Sequence, residues 1–413
     1  MSDQHDRARP TALKRIIVLG STGSVGVQTL EVIEHLNALA DRHLHGTRYE
    51  VVALAAGRNH GVLFDQARRL GIKDLALSEG GDHPSEPGLR VRVGADAATR
   101  LVEDVPCDLV VGAIVGIAGL GSVLRAIELG TDVALANKET LVAAGSLVTE
   151  AAFLSGARIL PLDSEHAGVW QCLRAVDHHQ PCPPMYTPDC VSRVVLTASG
   201  GAFRDRTREQ VAEATIEDAL NHPNWDMGAK VTIDTATLMN KALELIEAHW
   251  LFGLSAERLG AVIHPQSIVH ALIECADASV IAQLGAPDMR APIQHALCGG
   301  QRPDGCAPRL DVTKLGGLEF IEIDHDRFPA IGLAMAAIEA GGDAGAALNA
   351  ANEQAVRAFM NGELAFGQID ERVAAVMDAW RPGPIANLTD VLDADARARE
   401  LVDRAGRARI GGR

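Results

Sequence analysis

Asp163-Ser164-Glu165-His166 closes a short aliphatic run, Ala157 to Leu162, and carries two carboxylates two positions apart. In an extended chain such residues face the same way, so Asp163 and Glu165 are expected to converge on one point. Two carboxylates that close repel unless a cation sits between them, and an all-oxygen set favours Mg²⁺ or Mn²⁺ over Zn²⁺. A third carboxylate, Glu244, ends the segment Asn240-Lys241-Ala242-Leu243-Glu244. Helical spacing puts Asn240, Lys241 and Glu244 on one face, where a metal ligand would stand beside a cation and an amide donor, enough to hold a phosphorylated sugar. The same spacing also fits an ordinary surface ion pair between Lys241 and Glu244.

A second chemistry is suggested by Gly20-Ser21-Thr22-Gly23-Ser24-Val25-Gly26, which follows the aliphatic run Arg15 to Leu19 and precedes a helix expected to start near Gln28. Glycines there let backbone approach a pyrophosphate, whose charge the free amides of the helix end can hold. The spacing departs from the usual dinucleotide fingerprint, and a plain strand-to-helix turn would look similar. After the second run stands Gly57-Arg58-Asn59, with no acidic residue for the ribose hydroxyls of NAD. The planar fork of Arg58 suits a 2′-phosphate, so NADP(H) is favoured, although Arg58 as a solvated surface charge fits equally.

Three further polar segments are candidates. Asn137-Lys138-Glu139 follows the run Asp132 to Ala136, where a ligand crevice is expected, or else caps a helix. Thr197-Ala198-Ser199-Gly200-Gly201 resembles a phosphate-cradling turn with Ser199 as donor. Asn221 to Gly228 holds His222 and Trp225 between Pro223 and Gly228, a composition that suits a lid over substrate. Either of the last two could be an ordinary loop.

The elements that must position these residues follow from the pattern. Short aliphatic runs at Arg15 to Leu19, Tyr49 to Ala56, Asp74 to Leu77, Asp108 to Val115, Asp132 to Ala136 and Ala157 to Leu162 alternate with helical stretches. That predicts an α/β fold, a doubly wound parallel sheet covered on both faces, over residues 14–162. An α+β region is expected at 163–302, with strands at Arg193 to Thr197, Ala261 to Ile263 and Ser279 to Gln283 and a helix at Thr237 to Phe252. A Pro-, Gly- and Asp-rich linker at 303–327 then leads to a helical bundle at 328–413, whose apolar residues recur at helical spacing. Support is the role expected of that bundle.

Composition narrows the partners. The chain has 413 residues, 47% apolar and 22% charged, with a net charge of −16. This is the composition of a globular protein, and so negative a surface disfavours nucleic acid and anionic lipid. Aromatic residues, at 3%, are too few for base-stacking platforms. Met1 to Leu13 has no apolar run and is expected to be a loose tail, and the uncharged stretch Leu109 to Leu124 is too short and too glycine-rich to span a membrane. Seven scattered cysteines, none in a Cys-x-x-Cys pair, read as reduced and mostly buried thiols, and so as a cytoplasmic protein.

Together, Gly20 to Gly26, Ala136 to Glu139, Pro161 to His166, Leu196 to Gly201, His222 to Lys230, Asp234 to Glu244, Ile263 to Ser267 and Leu284 to Arg290 resemble the 1-deoxy-D-xylulose 5-phosphate reductoisomerase family, from about Lys14 into the carboxyl-terminal bundle. The resemblance implies a homodimer with an NADPH domain, a connective catalytic domain and a helical domain. It implies NADPH contacts from Thr22, Gly23, Ser24, Val25, Gly57, Arg58, Asn59, Asn137, Glu139 and Gly228. It implies a divalent metal, Mg²⁺ or Mn²⁺, on Asp163, Glu165 and Glu244, and substrate contacts from Lys138, Ser164, Ser199, His222, Trp225, Thr235, Asn240, Lys241 and Glu244. Lys138 and His222 join the three carboxylates as its catalytic set. Thr235 stands where the family usually has serine and Ala242 where glycine is common; the hydroxyl is kept, and alanine needs only helical backbone. His43 and His45 fall in the loop before the second strand and are expected on the surface.

The reaction so implied rearranges a ketose phosphate to a branched aldehyde and reduces it to 2-C-methyl-D-erythritol 4-phosphate, with NADPH as hydride donor. Two other readings compete. A metal-dependent sugar-phosphate isomerase or aldolase without a redox step leaves the glycine turn without a purpose, and a non-catalytic NADPH sensor leaves the three carboxylates unexplained.

Overall fold

Seven short strands form a parallel sheet whose interior is made of aliphatic runs buried on both faces; Ile16 to Leu19, for instance, are fully shielded from water. The structure, a computed structural model, describes residues 12–79, 87–179, 181–222 and 227–410, with side chains to Arg404. In chain order the elements of this part are β1 (Ala12–Leu19), α1 (Ser24–Asp41), β2 (Thr47–Ala56), α2 (His60–Leu70), β3 (Asp74–Leu77), β4 (Arg90–Val93), α3 (Ala97–Asp104), β5 (Leu109–Gly112), α4 (Leu120–Glu128), β6 (Asp132–Leu135), α5 (Glu139–Ser155) and β7 (Ile159–Pro161). The strand order is β4-β3-β2-β1-β5-β6-β7, so the direction of winding reverses between β1 and β5. A crevice opens beyond the carboxyl ends of the strands at such a reversal, which is where a ligand of a doubly wound sheet belongs.

α6 (Ser164–Val176) leads into a second sheet. Its strands are β8 (Val191–Ala198), β9 (Leu259–Ile263), β10 (Val269–Cys275) and β11 (Val280–Leu284), in the order β11-β10-β8-β9, and between β8 and β9 come α7 (Arg208–Ala212), α8 (Ile216–Leu220), α9 (Ala229–Ala236) and α10 (Met239–Phe252). After α11 (Arg290–Leu297), the chain runs to α12 (Ala330–Ala340), α13 (Ala344–Met360), α14 (Gln368–Ala379) and α15 (Leu388–Ile410). Alanine-rich faces let these helices approach closely: Ala346, Ala347, Ala350, Ala351 and Ala355 of α13 are all buried.

Several expectations need correction. The first helix begins at Ser24, not near Gln28, because Gly23 supplies the extended N-cap and Gly26 lies inside the first turn. The strand expected at Asp108 to Val115 ends at Gly112, where the chain peels off at the reversal point. The helix expected from Thr237 begins at Met239, since Leu238 takes a left-handed conformation, φ +60°, that breaks it from α9. Ala12 and Leu13 belong to β1 rather than to a tail; residues 1–11 lie outside the described residues. His45 is buried, with Nε2 3.3 Å from the Tyr49 hydroxyl and the two rings stacked, while His43 is exposed as expected. The cysteines are all free thiols, yet only Cys172 and Cys298 are buried; the other five sit at strand ends and in loops and keep some contact with water.

Candidate functional site

Two glycines bring the turn after β1 against its neighbours. Gly20, at φ +81°, lies so close to the chain after β5 that a Cβ would stand 2.4 Å from the Ala113 carbonyl oxygen, and one on Gly26 would stand 2.2 Å from that of Gly20. Both contacts demand glycine, and together they hold the first amides of α1 at the mouth of the crevice. Gly23, Ser24 and Val25 line a cleft of about 870 Å³ that extends to Asp163, Glu165 and Glu244. Lys138, Ser164, Ser199, His222, Gly228, Thr235, Asn240 and Lys241 line it as well.

At its deep end one oxygen from each of Asp163, Glu165 and Glu244 lies within 4.8 Å of the others. The convergence does not arise from strand alternation. Asp163 is the N-cap of α6, accepting from the Glu165 amide at 3.3 Å, and Glu165 belongs to the first helical turn. Glu244 reaches them from α10. Lys138 Nζ donates to Asp163 Oδ2 at 2.6 Å, Glu244 Oε1 at 2.8 Å and Asn240 Oδ1 at 2.9 Å, while Lys241 binds the other Glu244 oxygen. Both lysines are buried, so the pair of Lys241 and Glu244 is no surface ion pair.

Burial opposes the Lys138 charge, but the facing carboxylates of Asp163, Glu244 and Glu247 raise it well above its ordinary value. Asp163 is likewise held well below the usual carboxylate range, against burial, by Lys138 and His166. Glu244 is pushed up by burial and by the Asp163 charge. Two ammonium groups thus balance crowded carboxylates, and a hard divalent cation fits the same oxygen set: three carboxylates within reach of one ion, with room in the cleft for further oxygen ligands.

Ser199 Oγ and His222 Nε2 lie 2.9 Å apart, and burial lowers the His222 pKa below its ordinary value. Ser164 donates to Glu165 Oε2 at 2.8 Å, and Thr235, also buried, donates back to the Val231 carbonyl at 2.8 Å. Ala242 is fully buried within α10, where no glycine is required.

Six expected contacts lie off this cleft. Thr22 is in the turn after β1 but does not line the cleft. Gly57, Arg58 and Asn59 stand at the carboxyl end of β2, with Arg58 exposed and 3.4 Å from Glu79 and the Asn59 side chain capping α2. Asn137 is buried and spends its side chain on structure, donating to the Gly116 carbonyl at 2.8 Å and accepting from both Thr140 amide and hydroxyl at 2.9 Å. Glu139 is buried beside Lys230, 2.8 Å from its Nζ. Trp225, assigned to a lid, lies outside the described residues.

Four polar groups escaped the sequence reading as site residues. His166 and Glu247, both fully buried, stand 3.4 Å apart behind Asp163, and His166 Nε2 meets the Glu244 carbonyl oxygen at 2.8 Å. Burial works against the His166 charge, yet Glu247 and Asp163 raise it to about 9. Lys230 lines the cleft from α9, and His270 Nδ1 lies 3.8 Å from Glu165. Spacing offered hints for two: Glu247 follows Glu244 by three and Lys230 precedes Asp234 by four, each a shared helix face.

Comparison with known proteins bears on this geometry. Residues 16–145 match the family model described as 1-deoxy-D-xylulose 5-phosphate reductoisomerase, residues 159–252 its C-terminal domain and residues 284–401 the DXP reductoisomerase C-terminal domain. A 1-deoxy-D-xylulose 5-phosphate reductoisomerase of Symbiobacterium thermophilum is 45% identical across 94% of this chain and 97% of its own, and one of a Synechococcus is 44% identical over the same shares. Among solved structures, the Zymomonas mobilis reductoisomerase in complex with NADPH is 38% identical with a TM-score of 0.82, covering 95% of this chain and 99% of its own. A DOX-P reductoisomerase in complex with NADPH, fosmidomycin and magnesium is 35% identical with a TM-score of 0.83, covering 97% and 100%.

Proposed function

Because this chain belongs to the 1-deoxy-D-xylulose 5-phosphate reductoisomerase family, we propose that its cleft rearranges 1-deoxy-D-xylulose 5-phosphate and reduces the product to 2-C-methyl-D-erythritol 4-phosphate. The observation that carries the reading is one continuous cleft, from the glycine turn at Gly23 to Val25 to the carboxylates Asp163, Glu165 and Glu244. An isomerase or aldolase without redox chemistry uses only its deep end, and an NADPH sensor only its mouth.

Asp163, Glu165 and Glu244 hold the divalent cation in this reading, and the turn at Thr22 to Val25, with Gly57 to Asn59 and Gly228, holds NADPH. When bound, the cation supplies polarisation of neighbouring substrate oxygens and NADPH supplies the hydride. Lys138 keeps its charge at neutral pH and can donate to an oxygen on which negative charge develops, in a place that excludes most water. Ser199, His222, Asn240 and Lys241 present hydroxyl, imidazole, amide and ammonium groups to the phosphate, so that binding energy far from the reacting carbons fixes their position. Asn137 contributes by pinning the chain after β5, and Glu139 by pairing with Lys230.

The same reading divides the chain into an NADPH domain at 14–162, a catalytic domain at 163–302, a linker at 303–327 and a supporting bundle at 328–413. A cytoplasmic homodimer belongs to it. β11 is an edge strand with Val280 and Leu284 exposed, a kind of edge that proteins commonly cover, and seven thiols without a disulfide suit a reducing compartment. The test is NADPH oxidation by the purified protein with and without 1-deoxy-D-xylulose 5-phosphate and with Mg²⁺ present or chelated. Consumption that requires both, with a branched polyol phosphate formed, is the expected result. NADPH binding without consumption, or conversion of the sugar phosphate without NADPH, would overturn it.

A further inference from the structure

Lys230, in the first turn of α9, is absent from the expected site yet lines the cleft. Its Nζ donates to Glu139 Oε1 at 2.8 Å and pairs with Asp234 Oδ2 at 3.1 Å. Glu139 opens α5 directly after Lys138, and Asp234 neighbours Thr235 on α9. Both carboxylates are nearly closed to water, at 5% and 1% exposure, and in such surroundings removal of the ammonium they share is costly. Asp234 Oδ1 accepts a further bond, at 2.8 Å, from the amide of Asn352 on α13, which is fully buried. Beside Asn352, Glu353 is held by Arg399 of α15 at 2.5 Å.

Glu139, Lys230, Asp234 and Asn352 therefore form one chain of contacts from the start of α5, through the wall of the cleft, into the helical bundle. It ties together the two walls that must keep their spacing: α5, which begins beside Lys138, and α9, which carries Thr235. Displacement of reacting groups by about 1 Å can cost on the order of a hundredfold in rate.

We propose that Lys230 is a positioning residue for the reaction, setting the distance between α5 and α9 through Glu139 and Asp234, and that Asn352 gives the bundle a part in that task. The proposal rests on the reductoisomerase reading of the cleft. Asn352 stands off the cleft itself, and its hydrogen bond to Asp234 links it to Lys230 in the cleft wall.

The experiment uses the full chain with Mg²⁺ and NADPH and compares wild type with K230M, N352L, E139Q and the K230M/E139Q pair. It reads kcat, KM for the sugar phosphate, the NADPH dissociation constant by fluorescence and Tm. The expected result is a kcat lowered about a hundredfold in K230M and about tenfold in N352L, with KM changed less than about threefold. In the double variant the losses should not multiply, because the second substitution removes a partner already lost. Full kcat in a folded N352L, or multiplying losses in the pair, would overturn the proposal even if Tm falls. Should K230M not fold, N352L and the N352L/E139Q pair carry the same comparison. An inactive wild type would remove the functional reading and this proposal with it, whereas an active wild type matched by K230M and N352L removes this proposal alone.

Discussion

Lys138 Nζ lies 2.6 Å from Asp163 Oδ2, with both side chains almost closed to water. The lysine thus stands where a divalent cation would neutralise the same carboxylates. In K138M, Asp163 and Glu244 lose their shared ammonium, and an uncompensated buried charge costs about 3–5 kcal/mol. The variant should therefore be markedly less stable than wild type in chelator and recover more of its Tm on addition of Mg²⁺. Thermal unfolding with and without Mg²⁺ measures this; equal metal-induced shifts in the two proteins would contradict the competition between lysine and cation.

Glu165 follows β7 and the glycine turn follows β1, three strands away in the order of the parallel sheet. E165Q removes a ligand charge while keeping the volume, and the expected outcome is loss of turnover by at least about a thousandfold with NADPH affinity nearly intact. Kinetics and a fluorescence titration on one preparation decide it, and weakened NADPH binding would show that the two ends of the cleft are not independent.

Much of this was legible because parallel strands buried on both faces leave continuous aliphatic runs in the sequence. β4 left none: it is a four-residue edge strand in which Arg90 and Arg92 alternate with valines. β10 lies in the interior of the second sheet but carries His270 and Glu274, which masked it. Asp163 and Glu165 were correctly paired for the wrong reason, since a helix cap and first turn bring them together instead of a strand. For Lys230 and Glu247 the shared helix faces with Asp234 and Glu244 were only a hint, because charged residues on helices look solvated until distant partners, Glu139 and His166, are brought against them. Burial of a charge is a tertiary property, and no local window contains it.

Gly26 offers a test of the nucleotide end. A methyl group there would meet the Gly20 carbonyl oxygen at 2.2 Å, so α1 must move off the turn in G26A. NADPH affinity is expected to fall by a factor of about ten or more while the metal-dependent gain in Tm persists, because the carboxylates lie at the other end. Unchanged NADPH affinity would mean that the turn does not hold the pyrophosphate.

Thr235 differs from serine by one methyl group, and its hydroxyl is bonded to the Val231 carbonyl at 2.8 Å. T235S keeps that hydroxyl and should leave kcat/KM within about threefold, whereas T235V removes it and should raise KM for the sugar phosphate about tenfold. Steady-state kinetics of the two variants side by side check the point. A T235V enzyme with an unchanged KM would take Thr235 out of the substrate site.

Asp370 of α14 lies far along the chain from this chemistry, but its Oδ1 is closed to water and has no hydrogen bond among the described residues. Burial, with the Asp234 charge added, pushes its carboxyl up to about 7. The folded protein then keeps a proton that the unfolded chain releases near pH 4, so this group's contribution to stability is complete below that pH and is lost as pH rises through about 7. An asparagine carries no such titration. D370N should therefore flatten the fall in stability between pH 5 and pH 8, by on the order of 2–4 kcal/mol, and gain on wild type as pH rises. Urea unfolding at the two pH values gives the comparison, and parallel profiles for the two proteins would show that Asp370 ionises at an ordinary pH in the folded state.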